Sequence, residues 1–408
     1  MTSRPDRASL REGPLTELFR NTEVSAIDSE SIVEAPLIPA EELISPDPPF
    51  RASDANNYLA VIRVVGVGGA GCNAINRMVQ AGLRGVEFVA INTDQQALEA
   101  CEADVRIPVG MALTRGRGTG GDPEKGALSI KESEDEVRRA LRGSDLVFIA
   151  AGEGGGTGTG GAPVIAKIAR ELGALAVAVV TRPFQFEGAR RVATADTGLT
   201  ALHQTADTVI VIPNDRLMHV LERGTSMVDA FRVTDDLLRQ GVQGICDLIT
   251  LPGLINLDFA DVRTVVRDAG SAILGIGYAG GGNRAAEAAQ AAISSPLLET
   301  PIDGARGVLI GITGGPDLSL LEVSEAADVV AAAADPDANI IFGASIDPEL
   351  SGQVWVTVVA ADLSGERSQP AGSPAGDDAH SVGRPVPGRQ PLARAADTSP
   401  SMALGTAR

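Results

Sequence analysis

The chain has 408 residues, of which 44% are apolar, enough to fill two hydrophobic cores. Its formal net charge of -19 argues against a nucleic-acid binder and against adhesion to anionic lipid, because both partners attract basic surfaces. Cys72, Cys101 and Cys246 are widely spaced and odd in number, and His203, His219 and His380 form no ligand spacing, which excludes a disulfide framework or a zinc site and fits a reducing cytosol.

Residues 1–57, rich in Pro, Ser, Glu and Asp, read as a disordered acidic arm. They lack a signal-peptide core and are too acidic for a transit peptide. No segment of the chain reaches the length of a membrane span, so direct membrane insertion is not expected. The first strand is predicted over 60–65, closed by Gly66-Val67-Gly68-Gly69-Ala70-Gly71 and followed by a helix over 72–81. A strand over 86–92 ends at Asn92-Thr93-Asp94. A glycine cluster over 115–121 precedes Asp122 and Pro123, which suit the cap and first position of a helix over 123–141. That cluster is either a simple capped turn or a mobile loop beside a terminal phosphate.

A strand over 146–151 runs into a second glycine loop, Gly154 to Gly161, and a helix over 162–172. Strands over 174–181 and 208–212 flank a helix over 190–205. The alternation and the near-continuous apolar strands predict a doubly wound parallel sheet covered on both faces. A long helix over 226–251, stopped by Pro252-Gly253, joins it to a smaller α/β domain with a mixed sheet. There, helices are predicted over 260–269, 283–294 and 319–334, and strands over 271–277, 307–313, 339–346 and 353–361. The expected boundaries are 58–225 for the first domain, 226–252 for the connecting helix and 253–362 for the second domain. Residues 363–408 read as a second disordered tail.

Both glycine loops fall where strands give way to helices, at the carboxyl ends of parallel strands, where such sheets bind ligands. Glycine lets the backbone approach an anion, and a helix N-terminus offers unpaired N–H groups. One loop can hold a diphosphate; two converging loops suit a nucleoside triphosphate. Taken alone, the first loop and Asp94 also match a dinucleotide fingerprint, so a nicotinamide dehydrogenase is a rival reading, but it leaves the second loop without a task. No GxxxxGK[ST] occurs, which excludes a P-loop kinase or switch GTPase. Backbone amides and threonine hydroxyls would hold the phosphates, with Mg²⁺ offsetting their charge. By spacing, Asp258 and Asp261 in Asn256-Leu-Asp258-Phe-Ala-Asp261 are either paired carboxylates that polarise water or acids decorating a helix N-terminus.

Together these motifs resemble the FtsZ family, the bacterial homologues of tubulin. The resemblance rests on Gly66 to Asn73, Asn92-Thr93-Asp94, Gly154 to Gly160, Phe186-Glu187-Gly188 with Arg191, Ile212-Pro213-Asn214-Asp215, Asp229-Ala230-Phe231 and Asn256 to Asp261. It covers about residues 58–362. It implies a tubulin/FtsZ-like α/β fold: a Rossmann-like GTP-binding domain with a parallel sheet, a long central helix and a smaller C-terminal domain. It implies a cytoplasmic GTPase that binds GTP and GDP, polymerises head to tail and acts at the mid-cell division site, with other division proteins as partners. By the family pattern, Gly69, Ala70, Gly71, Asn73, Gly155, Gly156, Thr157, Gly158 and Thr159 contact phosphates. Glu187 and Arg191 sit at the ribose, Phe231 stacks on guanine and Asp235 reads its edge. Asn256, Asp258 and Asp261 would act on the nucleotide of the next subunit. Three features depart from the pattern: the long acidic arm, Ala189 where a basic residue is common, and a C-terminus without the usual tether-binding peptide. A diverged paralogue with weak or partner-dependent assembly is the alternative within the family.

Overall fold

The computed structural model describes residues 60–361, except 219–220, 222–223, 251–252, 256, 296–297 and 299. The arm over 1–57, the tail over 363–408, His219, Pro252, Asn256 and His380 lie outside the described residues. The chain alternates β1 (Ile62–Val67), α1 (Gly68–Gln80), β2 (Val86–Asn92), α2 (Gln95–Glu99), β3 (Val105–Pro108), α3 (Met111–Thr114), α4 (Pro123–Glu132) and α5 (Glu134–Leu141). It continues through β4 (Leu146–Gly152), α6 (Thr157–Glu171), β5 (Leu175–Arg182), α7 (Ala189–Thr205), β6 (Thr208–Pro213), α8 (Asn214–Leu217) and α9 (Met227–Thr250). The remainder is α10 (Phe259–Val266), β7 (Gly270–Gly280), α11 (Arg284–Ile293), β8 (Gly307–Gly314), α12 (Leu320–Ala333), β9 (Asn339–Ile346) and β10 (Gln353–Ala361).

All ten strands form one sheet in the order β3-β2-β1-β4-β5-β6-β7-β10-β8-β9. The expected parallel and mixed parts are therefore two halves of a single sheet. They meet where Thr208–Ile210 of β6 pair in parallel with Gly270–Ala272 of β7. Beyond that seam β10 runs antiparallel to both β7 and β8.

Alternation along the strands feeds two cores. Val64, Phe88, Phe148, Val177 and Val179 face one side, with Ile75 and Met78 of α1 and Leu238, Val242 and Ile245 of α9. Val65, Val67, Val89, Ile91, Val147 and Ile149 face the other, with Ile130, Val137, Ile165 and Leu202 of α4 to α7. A third core lies beneath α11 and α12. Arg284 at the start of α11, almost fully buried, bonds both Asp317 and Glu322 at 2.5 and 2.7 Å. Glu322 closes a capping box with Ser319 on α12, so one guanidinium fastens two helix starts.

The structure departs from the sequence reading in three places. The helix over 123–141 breaks at Ser133, whose carbonyl accepts from the Glu136 and Val137 N–H groups and starts α5. Glu134, Asp135 and Glu136 fill the first turn of α5, where the macrodipole favours acids. α2, α3, α8 and the edge strand β3 are additional elements. Helices α1 and α6 begin at Gly68 and Thr157, four and five residues before their predicted starts, so part of each glycine loop is the first helical turn. Glycine weakens helix propensity, which hides these turns in the sequence. It is retained for closeness: a Cβ on Gly71 would stand 2.5 Å from the Ala150 carbonyl, and one on Gly160 would overlap the Pro123 carbonyl of α4.

Candidate nucleotide site

The carboxyl ends of β1, β4, β5 and β6 open into one cleft of about 270 Å³. Gly69 and Ala70 reach it from the first turn of α1, and Gly155, Gly156, Thr157 and Gly158 from the turn into α6. Both helices point unpaired N–H groups at the same space, the arrangement that binds anions. Neither has a side-chain cap or an acidic residue in its first turn to compete with an anion. The second loop is tied to the end of β2, since Thr93 Oγ1 lies 2.6 Å from Thr157 Oγ1. The second loop thus has a task, and the dinucleotide reading that left it idle loses its ground.

The opposite end of the cleft is aromatic and acidic. Phe231 and Asp235 project from the first turns of α9, beside Glu187 and Arg191, which pair at 2.5 Å. Glu187 also accepts from the Phe184 N–H at 3.0 Å, which fixes the short turn before α7. The Phe231 ring meets Phe184 edge-on with centroids 5.6 Å apart, leaving Phe231 partly exposed for a planar ligand. Burial raises the Asp235 carboxyl to about 6, opposed by Arg77.

Gly71, Asn73 and Thr159 lie outside the lining of this cleft. Gly71 is packed against Gly66 and Ala150, Asn73 is exposed on α1, and the Thr159 hydroxyl accepts from the Gly154 N–H at 2.9 Å, bracing the loop from behind. Five polar residues outside the sequence-based set line it: Thr119, Glu153, Thr181, Asn214 and Thr234. Thr119 belongs to the third glycine cluster, while Asp122 caps α4 by accepting from Glu124 and Lys125 N–H groups. The capped turn is present, and the segment that carries it also reaches the cleft through Thr119. Asn214 Oδ1 is buried without a hydrogen-bond partner among the described residues, an acceptor free for a ligand donor. Its place in Ile212-Pro213-Asn214-Asp215 was the available signal.

Asp258 and Asp261 lie elsewhere. α9 carries Phe231 near its start and Thr250 at its end, and its 24 residues span about 36 Å at 1.5 Å per residue. Thr250 arrives beside Gly85, just before β2 begins, so the chain has crossed to the edge of the sheet opposite the cleft. Asp258 then caps α10, accepting from the Ala260 N–H at 3.2 Å, and both Asp258 and Asp261 are exposed.

A parallel sheet with paired glycine loops at its carboxyl edge, crossed by one long helix, defines a nucleotide-binding protein of the tubulin/FtsZ fold. Residues 61–222 match the GTPase domain of the tubulin/FtsZ family, and residues 270–364 match the C-terminal domain of the FtsZ family. An empty FtsZ dimer from M. jannaschii is 47% identical, with a TM-score of 0.72 and coverage of 75% of this chain and 89% of that one. A CetZ2 protofilament from Haloferax volcanii with GTPγS bound is 26% identical, with a TM-score of 0.62 and coverage of 76% and 94%. The chain belongs to the FtsZ family, and it is a GTPase of the tubulin/FtsZ class.

Proposed function

We propose that this GTPase polymerises head to tail into filaments and acts in bacterial cell division, in the cytoplasm at mid-cell. The observation that carries the shared-site part is the separation of the nucleotide cleft from Asp258 and Asp261, at opposite edges of one sheet. A bound nucleotide cannot meet those acids in its own chain. Stacking a second copy with its acidic edge on the cleft completes the site, and such a heterologous contact propagates as a filament. The M. jannaschii FtsZ dimer and the CetZ2 protofilament are relatives in which copies of the chain associate, and they support this reading.

In the assembled site the loops at Gly69–Ala70 and Gly155–Gly158 cradle the phosphates with backbone N–H groups. Phe231 stacks on guanine, and Asp235 accepts from its two edge N–H groups. Asp258 and Asp261 of the next copy orient the attacking water and take up its proton. Positioning and electrostatics suffice for phosphoryl transfer. The hydroxyls of Thr93, Thr119 and Thr157 form a cluster of hard oxygen donors, which suits Mg²⁺. When bound, Mg²⁺ neutralises phosphate charge.

Specific GTPase activity should rise with protein concentration, because only a stacked pair is complete. Phosphate release measured across a dilution series, with light scattering to follow assembly, tests this. Activity that stays flat while assembly varies overturns the shared site, and GTP binding with little scattering favours a paralogue with weak or partner-dependent assembly.

Asp235 makes recognition pH-dependent in a defined direction. Its carboxylate accepts guanine N–H groups only when ionised, so GTP affinity should fall as pH drops through about 6. Titrating a fluorescent GDP analogue between pH 5 and pH 8 measures this, and Asp235→Asn should flatten the dependence. An unchanged pH profile in Asp235→Asn removes Asp235 from base recognition.

A further inference from the structure

Cys72 sits on α1 two residues beyond Ala70, and Cys101 follows α2 in the connection to β3. Both are buried, and they meet: the Cys101 thiol donates to the Cys72 carbonyl at 3.6 Å. Asn92 Nδ2 donates to Cys72 Sγ at 3.6 Å. The Cys72 thiol holds the Cys101 thiol down at about 7, helped by the Ala103 and Glu102 N–H groups and by Arg106, against burial. Cys72 is pushed the other way by the same contact, by burial and by Asp94. Cys101 is pushed toward the thiolate and Cys72 toward the thiol, the division of roles found in reactive dithiols. Cys101 also lies only one layer deep, in a coil flanked by exposed Ala100 and Glu102, so a small local opening admits a small oxidant. Cys246, buried on α9 and held far above the usual range by desolvation, has no such partner among the described residues and serves as an internal reference.

We propose that Cys72 and Cys101 are a redox modification site, oxidised by a hydroperoxide to a disulfide that closes behind the first phosphate loop. The Cys101 thiolate attacks the O–O bond of hydrogen peroxide. The distal oxygen leaves with the bonding pair and is protonated to water, giving a sulfenic acid at Cys101. The Cys72 sulfur, losing its proton, attacks the Cys101 sulfur; the S–O bond breaks, and the departing hydroxide takes that proton to become the second water. Two thiols lose two electrons and two protons, and one peroxide becomes two waters. A dithiol reductant reverses the step.

The site is coupled to the cleft through its neighbours. A disulfide draws the sulfurs to about 2.05 Å, which pulls on the helix whose first turn presents Gly69 and Ala70. It also removes the thiol that receives Asn92. Asn92 adjoins Thr93, which binds Thr157 in the second loop. Oxidation thus strains both phosphate loops and weakens nucleotide binding, a consequence that rests on the GTP-binding reading above.

The test uses full-length protein treated with hydrogen peroxide, alkylated and digested with trypsin without reductant. The expected product joins peptide 64–77 to peptide 85–106 and disappears on dithiothreitol treatment. Cys246→Ser should give the same product, and Cys101→Ser should not. The oxidised protein should bind a fluorescent GDP analogue at least fivefold more weakly than the reduced protein. Circular dichroism checks that each sample is folded. No joined peptide in folded protein, or oxidation of Cys246 as fast as Cys101, overturns the site. A joined peptide with unchanged affinity overturns the coupling. The joined peptide is read without nucleotide, so a reduced protein that binds no GDP counts against the GTP reading and not against the thiol chemistry.

Discussion

Asp258→Ala is expected to cut GTP hydrolysis at least about a hundredfold while leaving GTP affinity nearly unchanged, the scale seen when a positioned acid–base group is lost. The affinity should hold because every group lining the cleft comes from the other edge of the sheet. Filaments should form with GTP and persist, since hydrolysis is what loosens them. Asp258 has a second job that must be separated from the first, because it caps α10, and losing a cap costs about 1 kcal/mol. Asp258→Asn makes the separation. Asparagine caps a helix as well as aspartate, but it carries no charge and takes up no proton. If the charge matters, Asn is as inactive as Ala and more stable; if only the cap matters, Asn restores hydrolysis. A mixture supplies a further check. Asp258→Ala keeps an intact nucleotide cleft, and a variant altered at Gly155 and Thr157 keeps an intact acidic edge. Mixed filaments should recover activity that neither protein has alone. Normal hydrolysis by Asp258→Ala leaves these acids with capping alone.

The strands that carry the cleft were legible because each is buried on both faces over most of its length and reads as a near-continuous apolar run. β1, β4 and β5 fall within one or two residues of their predicted bounds. β3 was not legible for the opposite reason. It is a four-residue edge strand that ends in Pro108 and buries only Ile107, so it has neither an apolar run nor alternation to announce it. The glycine loops were legible as chemistry but misread as local structure. Propensity argues against Gly68 to Gly71 in a helix, and tertiary contact explains Gly71, with Ala150 and Gly66 too close for any Cβ.

The site was legible to the extent that a motif shows in the chain. Gly69, Ala70, the loop from Gly155 to Gly158, Glu187, Arg191, Phe231 and Asp235 converge on one cleft. Nothing in the sequence says that Gly71 faces a neighbouring strand or that Thr119 folds over Thr157, because both depend on how separate elements meet. The opposite placement of Asp258 follows from the length of α9, which the sequence did give as a long helix, combined with the direction of the sheet.

Glu153 is the feature with no sequence signal at all, and it carries the second large expectation. It follows β4 directly; its N–H bonds the Thr181 carbonyl, and its carboxyl lies against Gly198 of α7, where a Cβ would overlap it. Both carboxyl oxygens are buried without a hydrogen-bond partner of good geometry among the described residues. Burial raises its pKa to about 7, opposed only by the Thr159 hydroxyl. The nearby charges are engaged elsewhere, Arg191 with Glu187 and Arg182 with Asp196.

In the unfolded chain Glu153 ionises near the ordinary 4.5, so between there and about 7 the folded state holds a proton that the unfolded state has lost. Stability from this group is therefore highest below 4.5, falls as pH rises through that window and levels off above it. At 1.36 kcal/mol per pKa unit the loss is about 3 kcal/mol. Glu153→Gln has nearly the same shape and never ionises. The quantity to measure is the difference in unfolding free energy between Glu153→Gln and the parent, from urea titrations at pH 4.5, 6 and 8. Other titrating groups cancel in that difference, as does any packing defect of the amide. It should grow in favour of Glu153→Gln by about 3 kcal/mol from the lowest to the highest pH. A difference that stays within about 0.5 kcal/mol across the range would mean that the carboxyl finds water or a donor on ionising, and that the space between α6 and α7 is wetter than its packing indicates.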